Sequence, residues 1–145
     1  MSPAFAEVEV GDRVETAART VTEADVMNFA GVSGDFNVLH TDAELMAETA
    51  FGERIAHGAL VFSMMTGLLW QSRGSDEHVV AFYGVDALRF IRPTFVGDTI
   101  RVVSEVVEVE AYDHPEANGR VRYEVEVVNG DDDVVLACEM LTLLR

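Results

Sequence analysis

Residues 58–70 read Gly-Ala-Leu-Val-Phe-Ser-Met-Met-Thr-Gly-Leu-Leu-Trp, a helical pattern that is apolar almost all the way round. A helix with no polar face belongs inside a structure, so the rest of the chain must supply something to cover it. Extended from His57 to about Gln71, it would run roughly 22 Å, the width of a small sheet. The cover follows directly. Segments 79–90, 99–109, 120–128 and 134–144 are rich in Val and other β-formers, with turn signals between them. Val121, Tyr123, Val125 and Val127 alternate with Arg122, Glu124 and Glu126, as in a half-buried strand. Asn129-Gly130 followed by three Asp marks an exposed hairpin loop. The simplest assembly is α+β: a single domain over residues 1–145, with a curved antiparallel sheet wrapped around one long central helix. No repeat, low-complexity tract or linker divides it.

Composition narrows the function classes. The chain has 145 residues, 49% of them hydrophobic, and a formal net charge of −16. That hydrophobic fraction is too high for a disordered acidic tail. Nucleic acid is excluded as a partner, because phosphate binding needs clustered Lys or Arg. The positive charge is carried by ten Arg and no Lys. Such an acidic surface repels itself in dilute buffer, whereas molar salt shortens the screening length to roughly 3 Å. The pattern looks like adaptation to a salty cytoplasm, with an ordinary acidic protein as the alternative. Cys138 is the only cysteine, expected as a small core residue in a reducing compartment. The first residues lack the basic and apolar regions of a secretory signal. The apolar run 58–70 is shorter than the roughly 20 residues that cross a bilayer. A cytoplasmic protein without membrane contact is expected.

The N-terminal half reads as a strand over 13–20 and then two helices. Thr22 caps the first helix with Asp25 three places on, and that helix should stop near 31–34. Thr41-Asp42-Ala43-Glu44 is a second capping box, opening a helix over Leu45, Met46 and Ala50 that ends at Phe51-Gly52. Between them Asp35 and His40 stand five residues apart in a turn. A carboxylate and an imidazole holding one water can take its proton and return one to carbon, a contribution of about 10²–10⁴-fold. Spacing alone, however, is satisfied by an ordinary turn: Ser-Gly-Asp-x-Asn is common turn composition, and His40 merely precedes the Thr41 cap. Gly58 opens the central helix, where unpaired amides can meet a carbonyl oxygen at close range. It reads equally as a glycine that eases tight packing. Ser63 either orients substrate or bonds back to the Ala59 carbonyl. His57 is an acid, a base or a structural histidine. Asp35, His40, Asp42 and His57 form a conceivable metal cluster, but no metal-binding motif is present and no metal is expected.

Taken together, these segments resemble the MaoC-like family of (R)-specific enoyl-CoA hydratases and dehydratases. The resemblance is carried by Phe29-Ala30-Gly31-Val32-Ser33-Gly34-Asp35-Phe36-Asn37-Val38-Leu39-His40-Thr41-Asp42. Phe51-Gly52-Glu53-Arg54-Ile55-Ala56-His57-Gly58 continues it, as does Arg89-Phe90-Ile91-Arg92-Pro93-Thr94-Phe95-Val96-Gly97-Asp98-Thr99. It implies the hotdog fold and a lyase activity: reversible addition of water to a trans-2-enoyl-CoA, giving a (3R)-3-hydroxyacyl-CoA, as in fatty acid metabolism. It implies Asp35 and His40 as the catalytic pair and the Gly58 amide against the thioester carbonyl. Ser63, Asn37 and His57 fall among the substrate-binding positions. No cofactor is implied beyond the CoA carrier of the substrate, and a homodimer or higher homo-oligomer is expected. Val38 and Ala43 depart from the family pattern, which favours Pro at both places. Two rivals remain: a hotdog acyl-CoA thioesterase, disfavoured because 58–70 holds no carboxylate, and a non-catalytic acyl-binding subunit, disfavoured by the presence of Asp35 and His40.

Overall fold

The computed structural model describes residues 3–73 and 77–145. A short 3-10 turn at Phe5–Glu7 leads into strands β1 (Arg13–Glu15) and β2 (Arg19–Thr20). Helices α1 (Glu23–Ser33), α2 (Val38–Thr41), α3 (Ala43–Ala47) and α4 (Gly58–Arg73) come next. Strands β3 (Val79–Phe90), β4 (Thr99–Ala111), β5 (Gly119–Val128) and β6 (Val134–Leu144) complete the chain. The antiparallel sheet runs β1-β4-β5-β6-β3, with β2 also paired to β4. Strand β3 therefore lies at an edge, bonded among the described residues to β6 alone.

The sheet packs on α4 as expected. Leu60, Val61, Met64, Met65, Leu68 and Leu69 of the helix enter the same core as Val102, Val121, Val125, Val127, Leu136 and Met140. Each fully buried side chain of this kind contributes roughly 1.5–3 kcal/mol. Val121, Tyr123, Val125 and Val127 do point inward. Cys138 is buried among them, and burial pushes its thiol up to about 11. The apolar run of β6 is buried within the single chain, Leu141 and Leu143 included, so it argues for no partner by itself.

Four local expectations need correction. The strand over 13–20 is two short pieces, because Thr16 turns its hydroxyl onto the Val102 amide in place of a continuous ladder. The turn after α1 contains a one-turn helix, α2, whose cap is Asn37 accepting from the Leu39 amide. Helix α3 is capped by Asp42 rather than Thr41, since the Asp42 carboxylate accepts from the Leu45 amide. It also ends at Ala47, well before Phe51, where the Thr49 hydroxyl takes the Met46 carbonyl and draws the chain out of the helix. The central helix is not covered all round either. Ala59 and Ser63 stay exposed on one face.

Candidate active site

The segment between α1 and α2 is fastened almost entirely by its own neighbours. Gly34 ends α1 in the left-handed region at φ 76°, a conformation that glycine adopts without strain. The Ser33 hydroxyl donates to the Phe29 carbonyl and accepts from the Asp35 amide. Asp35 Oδ1 accepts from the Asn37 amide at 3.2 Å. The Thr41 hydroxyl donates back to the Phe36 and Asn37 carbonyls. These bonds fix the Asp35 carboxylate and leave Oδ2 free of the backbone.

Oδ2 faces His40. The His40 Nδ1 lies 2.7 Å from the Ile55 carbonyl oxygen, which can only accept, so Nδ1 carries a proton. The neutral ring then presents Nε2 as an acceptor, 3.8 Å from Asp35 Oδ2. That separation is too long for a direct hydrogen bond. It is short enough for both atoms to hold one oxygen between them. His40 is buried while the Asp35 side chain is about half exposed, so the pair sits where protein meets solvent.

His57 supports both members. Its Nε2 donates to the Asp35 carbonyl at 2.9 Å, and its ring stacks on His40 with centroids 3.7 Å apart. Phe29 of α1 meets it edge-on. The other nitrogen, Nδ1, is buried without a hydrogen-bond partner among the described residues. Asp35, His40 and His57 offer metal-ligand atoms within 4.8 Å of one another. Yet His57 commits Nε2 to the Asp35 backbone and buries Nδ1, leaving two free donors, Asp35 Oδ2 and His40 Nε2. An open zinc site takes three protein ligands. Asp42 is absent from the cluster because it caps α3.

His40 and Gly58 line one cavity of about 460 Å³, walled by Phe51, Ile55, Val61, Phe90 and Val135. Gly58 is the first residue of α4, where helix geometry leaves the amide without an intrahelical acceptor. A Cβ at this position would stand 2.8 Å from the Phe90 ring. Only glycine allows the helix end and that ring so close together. Ser63 lies elsewhere. It stands one turn beyond Ala59, about 6 Å along the axis, bonds back to the Ala59 carbonyl, and opens on a separate groove with Asn28 and Phe29. Asn37 is occupied as the α2 cap. The cavity also holds Arg92, which the sequence placed within the run 89–99 without giving it a role.

Residues 5–129 match the family model described as MaoC like domain. Protein MaoC of Klebsiella aerogenes is 45% identical over 98 residues, covering 68% of this chain but 29% of that protein. An (R)-specific enoyl-CoA hydratase of Aeromonas caviae is 38% identical over 99 residues, 68% of this chain and 71% of the relative. Among solved structures, a protein described as monoamine oxidase regulatory protein from Archaeoglobus fulgidus superimposes with TM-score 0.91 at 40% identity. That match covers 99% of this chain and 95% of the other. A Mycobacterium tuberculosis protein with a double hotdog fold gives TM-score 0.87 at 23% identity, over 99% of this chain and 44% of its own. This last likeness speaks for the fold alone, and the architecture is a hotdog.

Proposed function

The chain belongs to the MaoC-like dehydratase family, and we propose that within it the protein is an (R)-specific enoyl-CoA hydratase that also runs the reverse dehydration. The observation that carries this reading is the gap between Asp35 Oδ2 and His40 Nε2, two acceptors 3.8 Å apart beside a cavity that Gly58 also lines.

A water between two acceptors gives each of them one hydrogen and turns its lone pairs away from both. As that oxygen bonds to C3 of the enoyl group, one proton passes to the pair. Electron density moves through C2 to the thioester oxygen, where the Gly58 amide and the positive end of α4 stabilise it. A proton then returns to C2, so water has been added across the double bond. Nothing in these steps calls for a metal or a redox cofactor. The largely apolar cavity wall suits a hydrocarbon acyl chain.

A homodimer is part of the proposal. Strand β3 leaves one edge unpaired and exposes Phe82, Tyr83 and Phe90, while α4 exposes Ala59 and Ser63. A long edge of that kind is a template for a second copy. Among the described residues no helix is long and apolar enough to cross a membrane.

The test follows the conjugated-enoyl absorbance of crotonyl-CoA in molar KCl. Its loss in wild type, with (3R)-hydroxybutyryl-CoA as product and no loss in Asp35→Asn, is the expected result. Release of free CoA thiol instead would favour a thioesterase. Inertness toward a panel of enoyl-CoAs would favour an acyl-binding subunit.

A further inference from the structure

Arg92 is the one arginine among the residues lining the cavity. Its position is fixed from both sides. The Ile91 and Arg92 amides both donate to the Val135 carbonyl, and Pro93 locks the chain that follows. Its guanidinium makes no hydrogen bond among the described residues. The nearest carboxylate, Asp133, lies at 3.8 Å, beyond hydrogen-bond range, and the Arg92 side chain is 58% exposed. By contrast, Arg19, Arg54, Arg101, Arg120 and Arg122 all hold carboxylates within 3.1 Å.

The rest of the field is hostile to anions, with a net charge of −16. An anionic substrate entering this cavity needs a local cation, and a guanidinium fork matches phosphate or carboxylate oxygens. We propose that Arg92 is the anion-docking residue of the cavity, exchanging its loose contact with Asp133 for an anionic group of the substrate. That group is a phosphate of the thioester carrier or a carboxylate on the acyl chain. The inference deepens the hydratase reading and rests on it for the identity of the substrate. Asp133, carried by the hairpin between β5 and β6, acts as the competitor that the anion displaces.

The experiment compares wild type, Arg92→Ala, Arg92→Lys and Asp133→Asn on three thioesters. Crotonyl-CoA carries phosphates, crotonyl-N-acetylcysteamine carries no anion, and mesaconyl-N-acetylcysteamine carries a carboxylate alone. Free CoA binding by calorimetry supplies a readout that needs no turnover. If the phosphate is the anion, Arg92→Ala lowers the ratio of kcat/KM for crotonyl-CoA over crotonyl-N-acetylcysteamine about tenfold, the size of one charge-assisted hydrogen bond. The loss lies in KM, Arg92→Lys recovers part of it, and Asp133→Asn shifts the ratio the other way. A change confined to the mesaconyl thioester assigns the guanidinium to an acyl carboxylate. Equal ratios in every variant, with CoA affinity unmoved, overturn the proposal. Should wild type turn over none of the thioesters, an Arg92-dependent affinity for CoA keeps the docking site while the hydratase reading falls.

Discussion

The loop at 33–41 and the outer face of the sheet are both polar, but they are tied together on opposite principles. In the loop, Ser33, Asp35 and Asn37 bond to backbone two residues away, and Thr41 reaches back four or five. On the sheet, Arg122 gathers Glu108, Glu139 and Asp86 from three other strands, and Arg101 bridges Glu15 and Asp132. The loop's geometry is thus written into a short stretch of chain. The sheet's network exists only once the register of β3 to β6 has been set, and its exposed pairs are screened by salt. One region holds the geometry of the proposed reaction, and the other manages charge.

Breaking the loop should have the largest consequence. Asp35→Asn and His40→Ala are each expected to lower hydration by about 10²–10⁴-fold with the fold intact, measured as kcat alongside circular dichroism. His57→Phe preserves an aromatic ring over His40 but removes the donor to the Asp35 carbonyl. A fall in kcat of roughly ten- to a hundredfold with little change in KM is expected, because the carboxylate is then less well aimed. An equal loss in KM would assign His57 to substrate contact instead.

Stiffening the entries to α2 and α3 is a subtler test. Val38 and Ala43 each occupy the first position of a helix, after an extended residue, where proline is favoured and no intrahelical amide bond is lost. Val38→Pro and Ala43→Pro should each stabilise by about 0.4–1 kcal/mol through the unfolded chain, seen as a rise in Tm.

The sheet network should yield less. Arg122→Ala is expected to lower Tm in dilute buffer, with the loss shrinking in molar KCl as the stranded carboxylates are screened. Wild type itself is expected to melt higher in molar KCl than in dilute buffer, because salt screens the repulsion within a chain of net charge −16. The smallest effect concerns Glu23, whose carboxyl the hydrogen bond from Arg54 holds below its ordinary 4.5. A depressed folded value means stability that is present above the unfolded value and lost as pH falls through the folded one. The Tm gap between wild type and Glu23→Gln should therefore be steady near neutrality and close below about pH 4.5. A gap that widens on acidification would contradict the pairing.

Much of the architecture was legible because its causes are local or periodic. The alternation in β5, the cap at Thr22 and the hairpin at Asn129 each involve residues a few places apart, and each appears where the pattern put it. The two departures from the family's prolines fall at helix starts, so they change stiffness and leave the site's groups in place. Errors arose where neighbours competed for one role. Thr41 and Asp42 are both good caps, and the choice fell to Asp42 once the Thr41 hydroxyl was drawn to Phe36 and Asn37.

The sequence by itself determined that an apolar helix would be wrapped by a Val-rich sheet, and that Asp35 and His40 would share one turn. Tertiary structure alone decided which residues join them. His57 reaches Asp35 across 22 positions, Arg92 meets the cavity from the end of β3, and Ser63 turns away from it. The reason is geometric. Hydrogen bonds within a turn depend on backbone a few residues long, whereas the face a helix offers to a cavity depends on how it lies across the sheet.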